Sequence, residues 1–212
     1  MIRVVVVDDH TVVRSGICRL LEAEIDIEVV AQAGSGHEAV RLCREEKPDV
    51  LVLDYGLPDL DGLETTRQVV QLSEAPRILI LTMHASEEYA TRLIRAGAAG
   101  FVVKTAPTDQ LLEAIRKVAS RQLFVSKPIM EKMVGRLAQP ATDSPESVLS
   151  DRELQVLIRL AQGSTTKEVA EALHLSASTV DTYRRRILEK LNIRNNADMT
   201  RFAIRRNLIH LE

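Results

Sequence analysis

The chain is short of cysteine, aromatics and long apolar runs, and each shortage narrows what it can do. Only two cysteines occur, Cys18 and Cys43, each inside a helix-like amphipathic pattern, with no Cys-x-x-Cys spacing and no histidine close by. That argues against a thiolate metal site or a redox pair and for two small buried residues in a reducing compartment. There is no tryptophan and there are three phenylalanines, so each aromatic position counts. No apolar run approaches the roughly 18 residues that cross a bilayer. The opening valines are cut off by Asp8 and Asp9 before they amount to the apolar stretch of a leader peptide, so a cytoplasmic protein with no membrane partner is expected. Charge of one sign is lacking too, since 28 Lys and Arg face 30 Asp and Glu. The near balance hides a polarity along the chain. Residues 1–125 carry 14 basic against 19 acidic side chains, and residues 149–212 carry 11 against 8. An acidic half and a basic half imply different partners.

What is present is an ordinary globular composition, 45% hydrophobic and 27% charged, over 212 residues, a length that suits two domains. Short apolar runs at 2–8, 28–33, 49–54, 77–83 and 99–103 alternate with segments at 11–24, 36–46, 62–73, 87–97 and 108–120 whose apolar residues recur every three or four positions. The runs are continuous rather than alternating, as in strands covered on both faces, so the pattern predicts a doubly wound α/β domain around a five-stranded parallel sheet. Residues 122–148 begin with a short helical pattern and turn into a Pro, Ser, Thr and Asp-rich linker at 139–148. Beyond it everything reads as helix, at 150–162, 165–173, 177–191 and 195–207, with Ser150 and Glu153 spaced as a capping box. The domains expected are 1–121, a connecting segment 122–148, and a small all-α unit at 149–212.

In a parallel sheet of this kind the functional crevice lies at the carboxyl ends of the strands. There the sequence places Asp8 and Asp9, Asp54, Thr82 and Lys104, at the ends of the first, third, fourth and fifth runs. Two adjacent carboxylates repel unless something positive sits between them. Three carboxylates on one rim make a hard oxygen site of the type Mg²⁺ prefers. The set also suits phosphoryl transfer to a carboxylate: Asp54 as covalent nucleophile, the metal and Lys104 against the phosphoryl oxygens, and the Thr82 hydroxyl as their hydrogen-bond donor.

The stretches VVVVDDH, LVLDYGLPDLDG, ILTMHA and GAAGFVVKTAP together resemble the receiver domain of bacterial two-component response regulators across about residues 1–121. The resemblance implies that Asp54 accepts a phosphoryl group from a sensor histidine kinase. It also implies that Asp8, Asp9, Asp54 and the backbone carbonyl of Gly56 hold Mg²⁺, that Thr82 and Lys104 read the phosphoryl group, and that Phe101 is the switch aromatic. Pro58 and Gly62 match the turn after the phosphorylated strand, where glycine is expected for a backbone angle other residues resist.

In the basic half, two short helical segments meet at HLSAS, with small Ala170 at their crossing, as a helix-turn-helix requires. Stepping 100° per residue along 177–191 gathers Val180, Tyr183, Ile187 and Leu191 into one apolar stripe and throws Ser178, Thr182 and Arg185 onto the opposite face. That face would enter a major groove, with Arg185 and Thr182 toward bases and Lys167, Ser178, Thr179 and Arg186 toward phosphates. Asp181 is placed to pair with Arg185, to accept from a base, or to weaken phosphate contact. From Leu149 to Ile209 the pattern resembles the LuxR-type output domain and so the NarL/FixJ family of response regulators. The resemblance implies a transcription regulator that binds double-stranded promoter DNA, forms a homodimer on activation through the segment 195–207, and has no enzymatic activity beyond its own phosphorylation and dephosphorylation. The alternative is a DNA-binding regulator whose first domain is a dimerisation or ligand-binding module independent of phosphate.

Overall fold

A computed structural model describes residues 1–57, 59–60, 62–82, 87–127, 129–131, 149–173, 175–206 and 208–209. The chain divides into two compact units, Met1–Met133 and Val134–Glu212. The first runs β1 (Ile2–Val7), α1 (Thr11–Glu22), β2 (Ile27–Ala33), α2 (Gly36–Glu46), β3 (Val50–Asp54), α3 (Gly62–Val69), β4 (Arg77–Thr82), α4 (Glu87–Ala96), β5 (Gly100–Val103), α5 (Thr108–Ala119) and β6 (Phe124–Val125). All pairings are parallel, in the order β2-β1-β3-β4-β5-β6. The five strands read from the sequence are present, and Val4 to Val7, Val50 to Leu53 and Ile78 to Leu81 are buried on both faces, which explains their unbroken hydrophobicity.

The sixth strand extends that reading. After α5 the chain turns through Arg121 in the left-handed region, at φ 62°, and the Phe124 and Ser126 N–H groups donate to the carbonyls of Ala99 and Phe101. Two apolar residues are too few for a period to show, and the sequence had suggested only helix there. Helix boundaries also move inward. The expected 62–73 helix stops at Val69 because its end tightens into three-residue turns, Gln71 N–H to Gln68 and Leu72 N–H to Val69. The linker at 139–148, Pro58 and Met83 lie outside the described residues.

Gly62 is required for a different reason from the one expected. It does not sit at positive φ; a Cβ there would lie 2.8 Å from Tyr55 Cα and 3.2 Å from the Asp54 carbonyl oxygen, so only glycine lets the start of α3 close against the end of β3. The Gly62 N–H donates to the Tyr55 carbonyl at 2.9 Å and completes that clasp.

The second unit contains α6 (Asp151–Ala161), α7 (Thr166–Ala172), α8 (Ala177–Leu191) and α9 (Asn196–Arg205). The Ser150 capping box is present, and a second one links Thr165 and Glu168. Val180, Ile187 and Leu191 are buried as the helical angles required; Tyr183, at the edge of the stripe, is half-buried. Among the described residues no helix is long and apolar enough to cross a membrane.

Candidate functional site

The chain leaves β1 to form β2 at one edge and returns to β3 on the other side of β1, so the topological switch point lies between the tips of β1 and β3. Strand register then fixes what meets there. Val7 pairs with Leu53, Asp54 with Leu81, and Thr82 with Val103, so Asp8, Asp54, Thr82 and Lys104 all fall on one rim.

Asp8 and Asp54 are 1% and 5% exposed, and Lys104 stands between them with its Nζ 2.8 Å from Asp8 Oδ2 and 2.8 Å from Asp54 Oδ2. Burial pushes the Asp54 carboxyl above its ordinary range; the Lys104 ammonium and the Gly56 N–H pull it back, and the Asp8 charge pushes the same way as burial. Burial alone would lower the Lys104 pKa, but its hydrogen bonds to Asp54 and Asp8 outweigh that and the net shift is upward. Thr82 is buried beside this group, and its carbonyl receives the Lys104 N–H at 2.8 Å. A Cβ at Gly56 would come no nearer than 3.9 Å to Asp54 Oδ2, so the approach to that carboxylate is open on this side. Phe101 is fully buried on β5, opposite Ile80 and Val125.

The donor set fits a divalent cation. Asp8 Oδ2 and Asp9 Oδ1 are buried, and each has one nitrogen beside it, Lys104 Nζ at 2.8 Å from Asp8 Oδ2 and His10 Nδ1 at 2.7 Å from Asp9 Oδ1. Carboxylate oxygens gathered on one rim in this way are the ligands a hard cation takes. Two further residues were not singled out by sequence reasoning. His10 joins the cluster: one ligand atom from each of Asp8, Asp9, His10 and Asp54 lies within 4.8 Å of the others. Asp59 accepts the Gly36 and His37 N–H groups at 2.8 and 3.0 Å, anchoring the segment after β3 to the start of α2, and these bonds hold its carboxyl well below the usual range despite its burial. Adjacency to the acid pair was a signal for His10; nothing local points to Asp59.

In the second unit Lys167, Ser178, Arg185 and Arg186 are exposed, while Thr179 and Thr182 are half-buried. The Ser178 and Thr179 hydroxyls lie 2.8 and 2.7 Å from the hydroxyl of Ser176, the residue that caps α8, and Thr182 Oγ1 donates to the Ser178 carbonyl at 2.9 Å. The three arginines of 184–186 divide: Arg184 Nε donates to Asn196 Oδ1 at 2.7 Å, which leaves Arg185 and Arg186 to the outer face. Asp181 makes no ion pair with Arg185; it accepts from Thr166 Oγ1 at 3.4 Å, bridging α8 to α7.

Residues 4–116 match the response regulator receiver domain family, and residues 147–203 match the luxR family of bacterial regulatory proteins. The chain is 38% identical over 213 residues to the response regulator UvrY of Escherichia coli, covering all of this chain and 98% of that one. It is 40% identical over 210 residues to the response regulator GacA of Pseudomonas protegens, covering 99% and 98%. Among solved structures, a LuxR-family two-component response regulator from Aurantimonas sp. is 37% identical with a TM-score of 0.63, covering 66% of this chain and 99% of that one.

Proposed function

Since the chain belongs to the NarL/FixJ family of two-component response regulators, a receiver domain followed by a LuxR-type DNA-binding domain, we propose that phosphorylation of Asp54 controls its binding to promoter DNA. The observation that carries this reading is the convergence of Asp8, Asp54 and Lys104 at 2.8 Å contacts on the rim of the switch point.

The phosphodonor is a sensor histidine kinase. An Asp54 carboxylate oxygen attacks phosphorus, the P–N bond to the kinase imidazole breaks, and an aspartyl phosphate forms. Lys104 serves this step twice: its charge favours the ionised Asp54 that attacks, and it then opposes the charge on the phosphoryl oxygens. Asp8, Asp9, Asp54 and the Gly56 carbonyl would hold Mg²⁺, which would supply further positive charge there. The Thr82 hydroxyl hydrogen-bonds the phosphoryl group, and Phe101 moves with it, so that the face formed by α4, β5 and α5 changes its partner preference. The chain acts on its own carboxylate and on no separate substrate, so it is a regulator rather than an enzyme.

The receiver occupies 1–121, the connecting segment 122–148, and the DNA-binding domain 149–212. Phosphorylation yields a homodimer that reads an inverted repeat, with α9 pairing between protomers. α8 enters the major groove, Arg185 and Thr182 toward bases and Lys167, Ser178, Thr179 and Arg186 toward phosphates. The protein works in the cytoplasm, where kinase output and promoters meet.

Selection of genomic fragments tests this. Wild-type protein treated with acetyl phosphate and Mg²⁺ is expected to retain a small set of fragments that Asp54→Asn and Arg185→Ala both fail to retain. Equal retention by wild type and Asp54→Asn would remove phosphate control.

A further inference from the structure

The first N–H groups of a helix have no partner within it. In α2 the Ser35 side chain accepts from Glu38, and the N–H groups of Gly36 and His37 go to a residue far along the chain. Asp59, in the segment between β3 and α3, accepts the first on Oδ1 at 2.8 Å and the second on Oδ2 at 3.0 Å, so both of its oxygens are engaged. His37 Nδ1 lies 2.7 Å from the same Oδ2, and the negative end suits the helix dipole. The backbones meet closely as well. A Cβ on Gly36 would stand 2.6 Å from the Leu60 carbonyl oxygen and 2.5 Å from Thr65 Oγ1, so the start of α2 and this segment are shaped to each other.

The attachment bears on Asp54 through a short closed loop. The Tyr55 N–H donates to the Leu81 carbonyl at 3.0 Å, and the Gly62 N–H returns to the Tyr55 carbonyl at 2.9 Å, so the loop is clasped where it leaves β3 and where it enters α3. On the α3 side Thr65 Oγ1 donates to the Leu60 carbonyl at 3.1 Å and Thr66 Oγ1 to the Gly62 carbonyl at 2.6 Å. Gly56 lies inside the clasp, and its N–H donates to the Asp54 carboxylate. With no side chain of its own to pack, Gly56 takes its peptide orientation from what holds the loop beyond it. Leu57 is buried there, and Asp59 is bound to α2.

We infer that Asp59 is a positioning residue for the modification of Asp54: bound to the start of α2, it fixes the Gly56 peptide, whose N–H in turn holds the Asp54 carboxylate in one orientation toward the incoming phosphorus. This rests on the reading of Asp54 as the phosphoacceptor. A nucleophile misplaced by about 1 Å can lose on the order of a hundredfold in rate, so a hydrogen bond outside the reacting group still counts. The donors on α2 are backbone N–H groups, which any residue but proline supplies at position 37, whereas each carboxylate oxygen at position 59 carries its own bond.

Two measurements on the full chain test it: the rate of Asp54 phosphorylation by acetyl phosphate with Mg²⁺, followed by intact mass, and hydrogen exchange of the Gly56 amide, followed by NMR with neither donor nor metal. The variants are Asp59→Ala, Asp59→Asn, His37→Ala and Arg116→Ala. The last breaks the ion pairs to Glu24 and Asp26 at the amino ends of the strands, and so disturbs the same unit without touching the loop. Asp59→Ala is expected to be phosphorylated at least about tenfold more slowly and to exchange the Gly56 amide at least about tenfold faster. Asp59→Asn, which keeps one accepting oxygen, should fall between it and wild type, and His37→Ala and Arg116→Ala should stay within about twofold of wild type on both readouts. An unchanged rate or an unchanged Gly56 exchange in Asp59→Ala overturns the proposal, as does an equal loss of rate in Arg116→Ala, which would mark a general loosening of the unit. Wild-type protein that takes no phosphoryl group overturns the reading of Asp54 itself, and the role of Asp59 falls with it.

Discussion

Lys104 decides how the acidic rim behaves without a metal. Two carboxylates buried next to each other are costly, and its ammonium, 2.8 Å from both, offsets that cost. Replacing it in Lys104→Met leaves the pair without a counter-charge, and a loss of about 3 kcal/mol in urea unfolding at neutral pH is expected, partly restored by millimolar Mg²⁺. The pH dependence follows from the directions of the shifts. Lys104 is raised above its ordinary 10.5, so its contribution is fully present below that value and is lost as pH rises through the folded one. Asp54 is also raised, from an ordinary 3.8, so its cost to stability is absent in acid and grows as pH climbs from there through the folded value. Without Lys104 that upward shift is larger, and the deficit of the variant should be smaller at pH 4 than at pH 7.5. A deficit that is flat across that range would show that the ammonium is not what offsets Asp54. At this scale the sequence told much: Asp8, Asp9, Asp54, Thr82 and Lys104 could be picked out because each ends a recognisable apolar run. Asp59 could not, because its partners Gly36 and His37 are distant in sequence and no local spacing encodes the bond.

Among the elements, the same local signal can mark bonds of very different weight. Ser150 and Glu153, and Thr165 and Glu168, are both capping boxes, equally visible as sequence patterns. Glu153 is buried and also holds Lys190 Nζ at 2.8 Å, joining α6 to the end of α8, while Glu168 is exposed. Burial works to raise the Glu153 carboxyl, but Lys190 and the Ser150 groups outweigh it and hold it low. Glu153→Ala should cost about 2 kcal/mol near neutral pH, with the difference closing as pH falls below its ordinary 4.5, and Glu168→Ala should cost far less; thermal unfolding of the two variants compares them. The β5 to α5 layer makes a separate demand. A Cβ on Gly100 would stand 2.6 Å from Leu79 Cδ1 and 2.9 Å from Val118 Cγ1, so Gly100→Ala is expected to lose about 1 to 3 kcal/mol by overpacking, read by denaturant midpoint. Strands and helices of ordinary length were legible because their apolar periods are long enough to repeat. β6 was not, since two residues carry no period, and the reason for glycine at position 62 was mistaken because a close backbone approach leaves the same trace in a sequence as a positive φ.

For the whole molecule, the polarity of charge along the chain matches its division into an acid-rimmed α/β unit and a basic helical one. Composition alone suggested two partners; the proposed function assigns each a chemistry, phosphoryl transfer at the rim and a nucleic-acid groove for the outer face of α8. What the sequence carried least well was the role of individual charges on α8: Arg184 and Asp181 both turn to neighbouring helices, a choice set by the position of Asn196 and Thr166 in the folded unit. The central claim is that Asp54 is the group through which the first unit is modified. Intact mass of wild type and Asp54→Asn after treatment with acetyl phosphate and Mg²⁺, with the same samples passed through size exclusion, tests it most directly. A gain of one phosphoryl group in wild type alone, accompanied by a shift to dimer, is the predicted result. The same gain in Asp54→Asn, or none in wild type under conditions that phosphorylate a known receiver, would contradict it.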